Sequence, residues 1–348
     1  MIALVLVTAA CTTDRTRRGY LEEAAPSLPP PERVVIVIPG FGVTRLFDPV
    51  TRRHVWGTAR ATMHTRFADD LDLPVEADGR SGRDRLVPSG YVGSRGPVNV
   101  GWQLMEALRK YAGNTPEKDV YPFHYDWRLS ARDNASALSA LVSRVSQGRK
   151  VDLVTHSAGA LVALAYVKLG DGGGRVERLI MISPPRRGVI DAFRIFVRPE
   201  RFLRRSFLPE MIATWPSVYE LLPEEGRFLI DSDGAVRNFD AWRAETWPVR
   251  VSPALLEEAR SFRDKLQRTP MPPGIQATVI AGDCVATARR ALRRQDDTFA
   301  FYPADLRPDE QHLASRLFEG GDGTVPVSSA TAGGPALLFC DGHQGIAT

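Results

Sequence analysis

Lysine is scarce in this chain, and arginine supplies nearly all of its positive charge. Cysteine is scarcer still, with three in 348 residues. No Cys-x-x-Cys pair or histidine-rich spacing accompanies them, so zinc has no evident ligand set and no metal is expected. No Gly-Lys-Ser/Thr follows the glycines at 170 and 172–174, which therefore read as a helix stop and not as a phosphate cradle. No segment after the N-terminus approaches the ~20 continuous apolar residues of a membrane-spanning helix. The formal net charge of +4 is spread along the chain, without the basic stripe or module that nucleic-acid binding calls for. Short clusters such as Arg201, Arg204 and Arg205 suit anionic lipid head groups equally well. Internal repeats are absent, and nothing in the sequence implies a cofactor.

What is present is an ordinary globular composition, 43% hydrophobic and 25% charged, long enough for one large α/β domain with insertions. Met1 to Ala10 are apolar or small and lead into Cys11, like the hydrophobic part of a secretory signal. Thr8-Ala9-Ala10-Cys11 also resembles a bacterial lipoprotein signal, in which Cys11 is lipidated after cleavage. The expectation is an exported protein anchored in a bacterial envelope. Residues 11–32 turn polar and then proline-rich, as a tether would. Residues 33–348 form the folded domain. Export would allow Cys284 and Cys340 to pair as a disulfide.

Val34–Ile38 is a β-branched run ended by Pro39-Gly40, which predicts a buried strand. Residues 64–100 are rich in glycine, aspartate and arginine and read as a long excursion. Helix is predicted over 101–111, strand over 120–125, and helix over 134–145 on a stripe of Leu138, Leu141, Val142 and Val145. Strand 151–155, helix 158–169 and strand 179–182 follow. This alternation predicts a mostly parallel sheet flanked by helices. Residues 186–273 break the pattern and show no strand, so they are expected to form a cap. Strands return at 277–281 and 336–339.

Ser157 lies between a predicted strand and a predicted helix, where a nucleophile projects from a sharp turn at the carboxyl edge of the sheet. Gly159 supplies the small residue needed two positions later; Thr155 stands where glycine is usual two positions earlier. The plain alternative for Ser157 is a helix cap. A serine needs a base, and the order serine, acid, histidine puts the base late in the chain. His343, just after the last predicted strand, fits best; His156 is expected to be structural. Asp322, among glycines in Gly320-Gly321-Asp322-Gly323, is the favoured acid, with Asp283 as the alternative. The N–H groups of Ala158 and Phe41 are the expected oxyanion donors.

Four landmarks occur in order: Pro39-Gly40-Phe41-Gly42, Tyr125-Asp126-Trp127-Arg128, the turn at Ser157, and Gly321-Asp322-Gly323-Thr324-Val325. With Trp215-Pro216-Ser217-Val218-Tyr219-Glu220-Leu221-Leu222-Pro223, they give the chain a resemblance to the lecithin:cholesterol acyltransferase family of α/β-hydrolases. The resemblance implies an α/β-hydrolase fold, a triad of Ser157, Asp322 and His343, and lipid-ester substrates with water or an alcohol as acyl acceptor. It also implies that the Tyr-Asp-Trp-Arg run holds the floor of the site. Thr155 departs from the family pattern.

In the cap, Ile190, Phe193, Phe196, Phe202, Leu203, Phe207 and Leu208 alternate with Arg187, Arg194, Arg198, Arg201, Arg204 and Arg205. Either the rings enter a lipid surface while guanidinium groups meet phosphates, or the rings pack on the sheet and the arginines are solvated. A catalytically silent lipid-binding or envelope-interaction protein is the rival to an esterase.

Overall fold

The computed structural model describes residues 34–58, 61, 71–92, 100–111, 119–198, 200–202, 205–236 and 238–347, with no side-chain description at 100, 102, 110, 111, 200–202, 205 and 206. The expected signal, Cys11 and the tether lie outside the described residues, as does Leu203. The core is a parallel sheet of β1 (Val34–Ile38), β2 (Val120–Pro122), β3 (Val151–His156), β4 (Val176–Ile182), β5 (Gln276–Gly282) and β6 (Leu337–Phe339). Its order is β6-β5-β4-β3-β1-β2, and every described pairing in it is parallel. All residues of β1 and β3 are buried, as expected of central parallel strands covered on both faces. The order reverses between β1 and β3, which opens a crevice at their carboxyl ends.

The helix Ala131–Ser146 begins where the Ser130 hydroxyl accepts the N–H of Asp133, a cap that periodicity alone placed three residues late. Its stripe of Leu138, Leu141, Val142 and Val145 is buried. After β3, the helix Gly159–Leu164 continues as a π-helical turn over Ala165–Leu169 and stops at the glycine run.

Two sequence expectations need correction. The excursion over 64–100 contains the strand Val87–Tyr91, which pairs antiparallel with Thr44–Asp48, itself paired with Arg53–Trp56. The interval 186–273 contains the strands Glu200–Phe202, Arg205–Phe207 and Leu229–Ile230. Leu229–Ile230 pairs with Ala291–Arg293, so the layer beside the sheet also draws on chain beyond residue 273.

In the arginine-rich segment, the apolar side chains of its helix turn inward. Ile190, Phe193 and Phe196 are buried, and Phe193 meets Phe228, Phe239, Trp247, Phe299 and Phe301. Arg194 is bonded to Asp191 at 2.8 Å and lies over the Tyr302 ring. Packing on the protein accounts for these residues, while Leu208 is exposed and Phe207 half-buried.

Glu220 ties this layer to the sheet domain. Its buried carboxyl group accepts the N–H of Ala131 at 2.7 Å, at the start of the helix Ala131–Ser146. The buried guanidinium of Arg263 donates to the carbonyls of Glu220 and Arg186. Burial pushes the Glu220 carboxyl up to about 8, against the pull of the Ala131 N–H. The folded state therefore holds this proton more tightly than the unfolded chain does. The resulting stabilisation is full below the ordinary value of 4.5 and is lost as pH rises through about 8. Glu220→Gln should remove that slope: unfolding with urea at acid, neutral and alkaline pH should show the wild type losing stability relative to the variant as pH rises. Parallel profiles would contradict the assignment.

Candidate active site

Ser157 follows β3 in the left-handed region, at φ 53°, so its side chain projects from a tight turn between strand and helix. That turn touches the loop after β1. A Cβ on Gly159 would lie 2.5 Å from the Pro39 carbonyl oxygen, and one on Gly40 would lie 2.9 Å from Ser157 Cβ. Both positions therefore exclude a side chain. Thr155 is accommodated because its hydroxyl donates sideways to the Ile180 carbonyl of β4, at 3.3 Å.

Three residues from distant parts of the chain meet there. His343 Nε2 is 2.9 Å from Ser157 Oγ, and His343 Nδ1 is 2.7 Å from Asp322 Oδ2. A carboxylate only accepts, so Nδ1 carries the proton and Nε2 presents a lone pair to the serine hydroxyl. Asp322 Oδ1 accepts the N–H groups of Thr324 and Val325, and the Asp322 carbonyl accepts the N–H of His343. Burial raises the Asp322 carboxyl, but the His343 hydrogen bond and charge, with the backbone N–H of Val325, outweigh it and hold the group below its ordinary value. The carboxylate is almost fully buried while the imidazole is 15% exposed, so the hydrogen-bonded line runs from dry interior toward the surface. Asp283, the alternative acid, is exposed, and the carboxyl that meets His343 is that of Asp322.

The N–H groups of Phe41 and Ala158 have no acceptor among the described residues. The loop carrying Phe41 is held from outside by aromatic donors on its carbonyls. Tyr91 and Tyr125 hydroxyls donate to Val37 and Pro39, and Trp56 and Trp127 indoles donate to Gly42 and Thr44, at 2.6–3.0 Å. With its carbonyls engaged outward, the loop keeps the Phe41 N–H available. The Phe41 ring packs on Trp127 and Trp215, with Trp56 and Phe207 beside them, which lines this side with aromatic surface. Periodicity carries no mark of these donors; the aromatic residues themselves were the available signal.

Arg128 anchors that floor. Its buried guanidinium spends all five N–H donors on Asp126, Asp84 and the Leu71 carbonyl, at 2.7–3.1 Å. Cys284 and Cys340 are joined as a disulfide, fastening the turn after β5 to the chain just before His343. Among the described residues no cluster of three His, Cys, Asp or Glu side chains is placed to hold a metal ion.

Arg128→Met should cost about 3–5 kcal/mol, because it leaves the buried Asp126 and the half-buried Asp84 without their partner. Chemical denaturation measures this, and a loss under about 1 kcal/mol would contradict the role given to the guanidinium.

Comparison with known proteins agrees with the fold. The chain is 25% identical over 255 residues to the uncharacterized protein YJR098C of Saccharomyces cerevisiae, covering 71% of this chain but only 38% of the yeast protein. Its fold is similar to a chain of the Tle4-Tli4 complex, with a TM-score of 0.57, 18% identity, and 86% of this chain and 89% of that one covered. A Bacillus licheniformis lipase, BlEst2, aligns over 92% of this chain and 90% of its own at a TM-score of 0.43 and 13% identity. The match to the family itself runs over residues 35–316 and ends before Asp322 and His343. With that match over most of its length, and the sheet and crevice described above, the chain belongs to the alpha/beta hydrolase family.

Proposed function

We propose that this hydrolase is a serine esterase acting on lipid esters through an acyl-Ser157 intermediate. The observation that carries the reading is the continuous hydrogen-bonded line from Asp322 through His343 to Ser157, beside two unengaged N–H groups. Ser157 Oγ attacks the ester carbonyl while His343 Nε2 takes its proton. Asp322 keeps the imidazole oriented and stabilises the imidazolium. The N–H groups of Phe41 and Ala158 receive the charge that develops on the carbonyl oxygen. His343 then protonates the leaving alcohol. A water or acceptor alcohol, deprotonated by the same imidazole, releases the acyl group and restores Ser157.

The aromatic surface around Phe41 favours an apolar acyl group. The order of the sequence landmarks favours a lecithin:cholesterol acyltransferase-like enzyme, which would pass the acyl group to an alcohol as well as to water. We further propose export and membrane anchoring through Cys11; the Cys284–Cys340 disulfide supports an oxidising compartment. A site complete in nucleophile, base and acid disfavours the silent lipid-binding alternative.

A fluorophosphonate probe should label the wild type at Ser157 and leave Ser157→Ala unlabelled; a folded wild type that resists labelling would sink the mechanism. Asp322→Asn should lower kcat on a nitrophenyl ester by about 10⁴-fold, through loss of the correct imidazole tautomer. Comparing lipids incubated with active protein and with Ser157→Ala would identify the acyl donor and show whether the acceptor is water.

A further inference from the structure

His156, the last residue of β3, is used by none of the steps above, yet it is buried against the base. Its ring centroid lies 4.9 Å from that of His343, and its Nε2 is 2.9 Å from the His343 carbonyl oxygen. A carbonyl only accepts, so Nε2 carries the proton and Nδ1 holds a lone pair. Nδ1 is buried without a partner, against the Gly40 backbone, where a Cβ would approach it to 3.2 Å. Burial, and then the neighbouring His343, push the ring down to about 3, so it stays neutral beside an imidazole that must become charged. Packing alone would be served by any ring of this size. An unsatisfied buried nitrogen is a cost that a phenylalanine would avoid, so the donor at the other nitrogen must offset it.

We infer that His156 is a positioning residue for the proposed base: its Nε2–H holds the His343 backbone carbonyl and thereby sets the reach of the imidazole to Ser157. The loop carrying His343 is then fixed from two sides, by His156 at its carbonyl and by Asp322 at its N–H. Both struts end on buried residues, so the loop follows the sheet and not the solvent. His156 and Ser157 are adjacent in sequence, so the strand that presents the nucleophile also holds the base in place.

This inference rests on the serine-esterase reading, and the experiment separates the two. His156→Gln keeps an N–H donor without the ring, whereas His156→Phe keeps a ring without the donor. Both are compared with the wild type for kcat and KM on a nitrophenyl ester, for the rate of fluorophosphonate labelling, and for thermal stability. The expected result is a kcat about 10- to 100-fold lower for His156→Phe, with KM within about 2-fold, and a His156→Gln kcat within about 5-fold of wild type. Should His156→Phe not fold, His156→Leu replaces it with the same expected order. A variant without the donor that matches or exceeds His156→Gln overturns the inference while the esterase reading stands. A wild type that neither labels nor turns over removes both.

Discussion

Burying a guanidinium is costly unless its N–H groups find acceptors and its charge a counterion. Arg128 meets both conditions by gathering two carboxylates and a backbone carbonyl from three separate segments. The Trp215 indole donates to the same Leu71 carbonyl, so the layer beside the sheet joins the assembly too. With Arg128 fixed, its neighbours Tyr125 and Trp127 present their donors to Pro39 and Thr44. The loop between those carbonyls carries Phe41. A single buried cation therefore decides where an uncharged backbone N–H points, some distance from any charge of its own.

The dry end and the wet end of the site are built differently. Asp322 is satisfied by backbone N–H groups and by His343, so its charge is held without water. Ser157 and His343 stay partly open, as a site that admits substrate must. The neutral ring of His156 sits behind them. Charge is thus confined to one buried carboxylate, whose counterion appears only when the imidazole takes a proton.

Much of this arrangement was legible in the sequence because of where it sits. Central parallel strands are buried on both faces and read as short apolar runs, so β1 and β3 fell where composition placed them. The strand at 44–48 alternates in burial, but polar Thr44 and Asp48 take buried positions beside Leu46, so the run shows no apolar alternation to read. Strands of two or three residues, as at 229–230, carry no period at all. The glycines around Asp322 favoured it over Asp283 in the sequence, but burial and backbone N–H groups, which leave no sequence pattern, are what distinguish the two. His156 stood in view beside Ser157, but its partner is a carbonyl 187 residues away, and a backbone atom leaves no mark in a sequence.

The disulfide carries a consequence for the unfolded chain. Cys284 and Cys340 are separated by 56 positions, and the segment between them includes Asp322. Closing a loop of that size lowers the entropy of the denatured ensemble by about 4 kcal/mol at room temperature in the chain-entropy picture. Asp322 thus lies on a tied ring and His343 only three residues beyond its knot at Cys340, while Ser157 is far from it in sequence and must be brought in by the sheet. The half of the site that holds the charge is drawn together by a constraint on disorder, and the half that holds the nucleophile by burial.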